Sequence, residues 1–407
     1  MRRQRVAAYL GLLALAAFAA GRLEAAGEPE ETVPARPKPA TYADPYKNPL
    51  YSTLVAFLSG APDVEGEQGF QVKVEGLKEK LDVKAVLQKQ PAPLVVVLVG
   101  GDGKSSWPLG RLFPYILAKY LHVNVMYFDA TFRPTYMVKA RSGVTGNFRG
   151  EAEEVGKLID AFVKLPEVKP LVSEVGVLGY SMGATQALLL ARLAEDGKLP
   201  FELKGALAFS PPVRLRATAR ILDGYYKMDR FKYTRVEMAL AIMNHEPVKP
   251  GEAIPFEDDF MRAGIGTVIR DEFTEIVDRN DKTFRLRKIP FEEDLKPGQN
   301  REEIARSWGF EKFMDEMCFP YWQKKGAFKT LDEMWEAGDM TKVMAKLPAY
   351  ARAVICEDDP FNEPQDLAAL KQAANPKNLV LLPSGGHIGY FGSEWCFRQL
   401  ESMFDQR

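Results

Sequence analysis

Residues Val175 to Glu195 read VGVLGYSMGATQALLLARLAE, and three signals follow one another in that order. Val175 to Tyr180 is an apolar run of strand character. Gly179 to Gly183 spells Gly-x-Ser-x-Gly. Ala184 to Glu195 is built from strong helix formers. A strand, a tight turn and a helix make a nucleophile elbow, in which the serine stands on a sharp corner with its hydroxyl exposed at the carboxyl edge of a parallel sheet. The two glycines are expected to let the backbone turn, and the helix N-terminus beside Ser181 favours developing negative charge.

A serine nucleophile needs a base, and the chain has only three histidines. His122 starts an apolar strand-like run (Val123 to Phe128) and reads as structural. His245, in AIMNHEPVKP, ends a helical segment and reads as a cap or a surface residue. His387 stands in NLVLLPSGGHIGYFG, where a short strand (Leu379 to Leu382) and a glycine-rich loop precede it. With an elbow of this kind, chain order runs serine, acid, histidine, and the base sits on the loop after the last strand. His387 is therefore the expected base.

The acid should end the preceding strand. ARAVICEDDPFNEP places Ala353 to Cys356 as that strand, followed by Glu357, Asp358 and Asp359. Asp359 is followed by Pro360 and is the expected acid, with Asp358 as the alternative. The acid would fix the tautomer of His387 and stabilise its imidazolium. An oxyanion hole needs two converging backbone N–H groups. Met182 supplies one, and the loop after the strand Leu94 to Val99 (Gly100, Gly101, Asp102, Gly103) supplies the other, expected from Gly101. That loop continues into Lys104 and Ser105, but it lacks the spacing of a phosphate-binding Walker motif.

Over roughly Phe70 to Phe404 the chain resembles the α/β-hydrolase superfamily. The acid segment DDPF (Asp358 to Phe361) and the base segment GGHIGYF (Gly385 to Phe391) are similar to the branch holding membrane-associated phospholipase- and esterase-like serine hydrolases. The resemblance implies a mostly parallel central sheet flanked by helices, and Ser181, Asp359 and His387 as the triad. Two positions depart from that branch: Val99 stands where histidine is usual, and Ala184 where many members carry glycine. Such chemistry needs no metal or organic cofactor. A serine at the elbow also disfavours haloalkane and epoxide chemistry, for which this fold uses aspartate.

With 54 basic and 55 acidic residues the net charge is −1, which argues against a nucleic-acid partner. The three cysteines (Cys318, Cys356, Cys396) are too few and scattered for a metal site or a disulfide framework. Cys356 and Cys396 could bridge or remain buried thiols. At the start, MRRQR and the apolar run Val6 to Ala20 read as a secretory signal peptide over residues 1–25, ending at Ala17-Phe18-Ala19 or Leu23-Glu24-Ala25. The run is short for a membrane span. An uncleaved N-terminal anchor is the alternative to export to the periplasm or medium. Cleavage after Ala25 removes four arginines and one glutamate, taking the charge from −1 to −4. The stretch 26–44, rich in Pro and Glu, is expected to be a disordered tether.

Alternating strand and helix patterns over the remainder imply a mostly parallel sheet. GFQVKVEG and LDVKAVLQ read as an early hairpin. Gly150 to Leu165 reads as a helix with Val155, Leu158, Ile159 and Phe162 on one face. The core should comprise 45–212 and 349–407, with 213–348 as a helical lid, since that span exceeds what a connecting loop needs. It is dense in aromatics and methionines: Tyr225, Tyr226, Met228, Phe231, Tyr233, Met238, Met243, Phe310, Phe313, Met314, Met317, Phe319, Tyr321 and Trp322. They line an apolar pocket or form the lid's own core. The expected function is an exported serine hydrolase acting on a carboxylic ester, lipid-like esters included. An acyltransferase, a serine peptidase or a non-catalytic binding protein are the rivals.

Overall fold

The computed structural model describes residues 42–403, apart from 59, 78, 102, 141–142, 227–247 and 250. The expected signal peptide, most of the tether, Asp102, His245 and the methionines and aromatics from Met228 to Met243 lie outside the described residues.

Helix α1 (Pro49–Leu58) leads into β1 (Gln68–Val72), β2 (Leu81–Val86) and β3 (Ala92–Leu98). Then come α2 (Pro108–Tyr120), β4 (Asn124–Phe128), α3 (Pro134–Ala140), α4 (Phe148–Val163) and β5 (Val172–Tyr180). Helix α5 (Met182–Glu195) and β6 (Leu203–Phe209) follow. The eight strands form one sheet in the order β1-β2-β4-β3-β5-β6-β7-β8, closed by β7 (Ala351–Cys356) and β8 (Leu379–Leu382). β1 pairs antiparallel with β2, as the hairpin reading expects, and β2 antiparallel with β4. Every pairing from β4 to β8 is parallel.

The sequence explains which strands are central. β3 and the second half of β5, residues 175–180, read as unbroken apolar runs because helices cover both their faces, whereas β2 alternates buried and exposed residues toward the sheet's edge. Along β3 the side chains alternate between two cores. Leu94, Val96 and Leu98 join the cluster containing Val155, Leu158, Ile159 and Phe162 of α4. Val95 and Val97 join Leu112, Phe113, Ile116 and Leu117 of α2 on the other face. Helix α4 starts two residues earlier than the pattern suggests, at Phe148, because the Asn147 side chain caps it by accepting from the Gly150 N–H at 3.2 Å.

The described residues of 210–350, between β6 and β7, are helical in the main. They contain α6 (Leu215–Tyr226), the long α7 (Asp258–Phe284), α8 (Arg301–Arg306), α9 (Phe310–Phe313), α10 (Phe319–Lys324), α11 (Leu331–Glu336) and α12 (Met340–Met344). A π turn over Met314–Cys318 joins α9 to α10. Phe313, Met314 and Met317 are buried in the same cluster as α4 and α5, so these residues are core rather than pocket lining. Helix α7 packs with α1 around Phe361, which follows β7, in a third apolar cluster holding Leu50, Leu54, Met261 and Ile265. Helices α13 (Pro364–Ala373) and α14 (Glu394–Glu401) complete the chain. Cys318, Cys356 and Cys396 are buried free thiols.

The ordered fold begins before residue 45. Asp44 is buried, and its Oδ1 accepts from Ser52 Oγ at 2.8 Å and from the Tyr46 N–H at 3.1 Å. The Tyr42 ring packs edge-on against Tyr390 at 6.0 Å. The tail of the supposed tether is thus docked, because a carboxylate and an aromatic ring there find partners inside the fold.

Candidate active site

Ser181 caps α5 at the carboxyl end of β5 with φ 54° and ψ −125°. A non-glycine residue there is strained by about 1–3 kcal/mol, a cost that persists only where the surroundings enforce it. The flanking glycines serve a different purpose from the one the sequence suggests, since neither has a positive φ. A Cβ on Gly179 would lie 2.1 Å from the Gly183 carbonyl oxygen, and one on Gly183 would lie 2.0 Å from that of Leu98. They allow β3, β5 and α5 to approach, and the sharp conformation falls on the serine itself. The Ser181 N–H donates to the Phe209 carbonyl at 2.9 Å, fixing the corner to the end of β6.

The loop after β3 meets this corner. A Cβ on Gly100 would lie 3.5 Å from Ser181 Cβ, and one on Gly101 would lie 2.9 Å from Met182 Cγ. The two expected oxyanion donors, Gly101 and Met182, therefore sit on facing segments beside the serine. Among the described residues neither of their N–H groups makes a hydrogen bond. The same loop is tied to α7, as Lys104 Nζ stands 3.8 Å from Glu272. Arg133, buried after β4, pairs with Glu272 and, at 2.8 Å, with Glu275.

His387 is wholly buried on the loop after β8, and its Nδ1 lies 2.9 Å from Asp359 Oδ2. The other Asp359 oxygen accepts from the Phe361 N–H at 2.9 Å, an Asx turn across Pro360 that fixes the carboxylate. Asp358, the alternative acid, faces elsewhere. It accepts from the Gly386 N–H at 2.9 Å and the Gly385 N–H at 3.2 Å, and burial raises its pKa. It holds the loop that carries the histidine. His387 Nε2 is buried and makes no hydrogen bond among the described residues, that to Ser181 included. Such bonds often tighten only with substrate bound. Ser181 and His387 nonetheless share an anchor. The Ser181 N–H holds Phe209, and the Ile388 N–H donates to Ser210 Oγ at 3.3 Å.

The structure also shows supports that no sequence motif marks. Thr53 Oγ1, on α1, accepts from the His387 N–H at 2.8 Å. A Cβ on Gly386 would lie 2.1 Å from the Pro49 carbonyl oxygen, so α1 presses directly on the histidine loop. The Phe361 ring centroid lies 4.4 Å from that of His387. Of the other histidines, His122 is exposed in the turn before β4.

An eight-stranded sheet in this order, with the serine corner after β5, the aspartate after β7 and the histidine after β8, decides the architecture. This is the α/β-hydrolase fold. No protein-family model matches the chain, and no curated protein sequence matches it. Among solved structures it is similar to the α/β-hydrolase GrgF from Penicillium sp. sh18, at 15% identity, covering 84% of this chain and 98% of that chain with a TM-score of 0.44. It is also similar to carboxylesterase CesB from Bacillus subtilis, at 14% identity over 83% and 91% of the two chains with a TM-score of 0.40. A third, an esterase from Thermogutta terrifontis, shows 13% identity over 83% and 98% with a TM-score of 0.39. All three superpositions are loose, and the α/β-hydrolase fold of this chain is defined by its own strand order and elbow.

Proposed function

We propose that the protein is an exported serine hydrolase that cleaves a carboxylic ester through an acyl-enzyme. The observation that carries this reading is the buried His387–Asp359 pair at the same sheet edge as a strained Ser181, joined to it through the adjacent residues Phe209 and Ser210. His387 Nε2 takes the hydroxyl proton as Ser181 Oγ attacks the ester carbonyl. Asp359 keeps the Nδ1–H tautomer and stabilises the imidazolium. The N–H groups of Gly101 and Met182 receive the oxyanion. The imidazolium then protonates the leaving alkoxide. Water, deprotonated by the same histidine, releases the acid and restores Ser181.

Export rests on the basic and apolar N-terminal segment; among the described residues no helix is long and apolar enough to cross a membrane. The helical span between β6 and β7 acts as the lid of this reading, because α7 contacts the oxyanion-side loop through Glu272. The test is labelling by a fluorophosphonate probe, beside Ser181→Ala, followed by release from p-nitrophenyl esters of increasing acyl length. Labelling abolished by the substitution, with turnover peaking at one chain length, is the expected result. Labelling without ester turnover would move the reaction to acyl transfer or amide cleavage. Absence of labelling would remove the nucleophile.

A further inference from the structure

A second site lies between the core and the helices that follow β6. A cavity of about 230 Å³ is lined by Tyr136 and Met137 of α3, Thr145, Trp322 of α10 and, from α4, three carboxylates (Glu151, Glu153, Glu154) against one cation, Lys157. Glu151 is buried. Its Oε1 accepts from the Gly146 N–H at 2.7 Å and Thr145 Oγ1 at 3.1 Å, and its Oε2 from Thr131 Oγ1 at 2.9 Å and Gln186 Nε2 at 3.4 Å. All four donors are neutral, and no cationic side chain pairs with it among the described residues. Four donors suit an ionised carboxylate, yet a buried charge without a counter-charge is costly. Among the described residues no cation lies within ion-pair distance of this buried carboxylate, Lys157 at the same cavity included.

A second observation points the same way. The Tyr136 hydroxyl is buried at the cavity and has no hydrogen-bond partner among the described residues. The Trp322 indole N–H is committed to the Val144 carbonyl at 2.9 Å, which fixes the ring. A Cβ on Gly143 would lie 2.3 Å from that ring, so glycine is what admits it. An aromatic wall, a thioether, an unused hydroxyl and a fixed carboxylate together match one ligand chemistry. We propose that this cavity binds a small organic cation, an ammonium or quaternary ammonium group, with Glu151 as its counter-charge and Trp322 and Tyr136 as its walls.

The carboxylate acts as a field and not as a metal ligand, since its four lone-pair directions are filled. No group of three metal-ligating side chains occurs among the described residues. Gln186, one turn along α5 from Ser181, joins Glu151 to Thr131 through bonds of 3.4 and 2.5 Å, so the site abuts the elbow helix. The inference does not rest on Ser181 being a nucleophile. Burial pushes the Glu151 carboxyl up to about 7. The groups acting on it are Glu154 of its own helix, Tyr136 of α3 and Cys318 of the π turn, and Glu153 and Lys157 of α4 border the same cavity. Affinity for the cation should therefore fall about tenfold from about pH 8 to about pH 6, as Glu151 takes up its proton.

The experiment is calorimetric titration of the full chain carrying Ser181→Ala with choline and with its neutral carbon isostere, 3,3-dimethylbutanol. Choline binding at least about tenfold more tightly than the isostere, with the pH dependence above, is the expected result. Glu151→Gln should abolish the preference. Should that variant fail to fold, the isostere comparison and the pH series on the intact pocket still decide. Equal affinity for the two, or no binding of either, overturns the proposal.

The source of the cation is read on the active chain, from a choline ester and the corresponding 3,3-dimethylbutyl ester. A kcat/KM preference for the choline ester that Glu151→Gln removes assigns the cation to the substrate's alcohol. Choline binding without such a preference assigns it to a separate ligand. Loss of all ester turnover, with choline still bound, would sink the hydrolase reading and leave the cation site standing.

Discussion

The two ends of the candidate active site are held in opposite ways. At the elbow, Ser181 is positioned by backbone packed on backbone, with Gly179 against Gly183 and Gly183 against Leu98. At the histidine loop, position comes from side chains remote in sequence: Thr53 on the His387 N–H, Asp358 on Gly385 and Gly386, Ser210 on Ile388. A site of the first kind is written in five consecutive letters. One of the second kind is assembled from four parts of the chain, and no local pattern announces it. The first should break when a methyl group is added, and the second when a hydrogen-bond acceptor is removed.

The largest effect expected is on chemistry at the elbow. Ser181→Ala should lower kcat for any ester substrate by about 10⁴-fold or more, since triad members act as a unit. The same position tests the strain. Ser181→Gly should be equally inactive yet melt higher than Ser181→Ala, by a difference worth about 1–2 kcal/mol, because glycine adopts positive φ freely. Equal melting points would mean that the corner is not strained. Next in size is Gly183→Ala. Its methyl group would meet a backbone oxygen that cannot rotate away, so a loss of about 3 kcal/mol in denaturant unfolding is expected, the upper end of the overpacking range. A loss below about 1 kcal/mol would show that β3 and α5 can separate, and the elbow would no longer count as backbone-locked.

The same contrast explains what the sequence could and could not disclose. The elbow, the apolar strand β3, the apolar second half of β5 and the order of serine, aspartate and histidine are local features, legible because a parallel strand covered on both faces must be apolar throughout. Asp359 stood out from Asp358 by the proline after it, and the structure supplies the reason: an Asx turn across Pro360 spends one oxygen on Phe361 and leaves the other for His387. Helix α1 was not legible as part of the site. PLYSTLVAFL carries nothing to distinguish Thr53 from any buried threonine, and its role exists only once α1 is docked on Gly386. The aromatic and methionine residues after β6 were ambiguous for a related reason. Composition cannot say which apolar residues face the sheet and which, like Trp322, border a cavity.

On the histidine side, Thr53→Val keeps the shape of the side chain and removes the acceptor. The buried His387 N–H is then left unpaired, which should cost about 1–3 kcal/mol in stability. Thr53 acts through the His387 backbone N–H, so its effect should appear as a fall in kcat of about tenfold with KM little changed, and Thr53→Ser should restore most of it. A uniform loss of stability with an unaltered kcat would make α1 a purely structural brace and remove Thr53 from the positioning of His387.

The smallest expected effect separates the two neighbouring aspartates. Asp358→Asn retains a carbonyl oxygen to accept from Gly386 but loses the acceptor for the Gly385 N–H. Against that loss stands the charge on Asp358, which burial already disfavours, raising its pKa above the unfolded value. A carboxyl whose pKa is raised by folding binds its proton more tightly in the native state. Its contribution therefore becomes less favourable as pH rises from the unfolded pKa through the folded one, and stays so above it. The asparagine variant carries no such penalty. Its stability relative to the wild type should improve over that rise and then level off, with a net change below about 1 kcal/mol near neutral pH. Asp359→Asn is the contrasting case and ranks in size with Ser181→Ala, because kcat collapses through the wrong histidine tautomer. Collapse of kcat in Asp358→Asn instead would reassign the acid to Asp358 and make Asp359 the residue that merely shapes the turn.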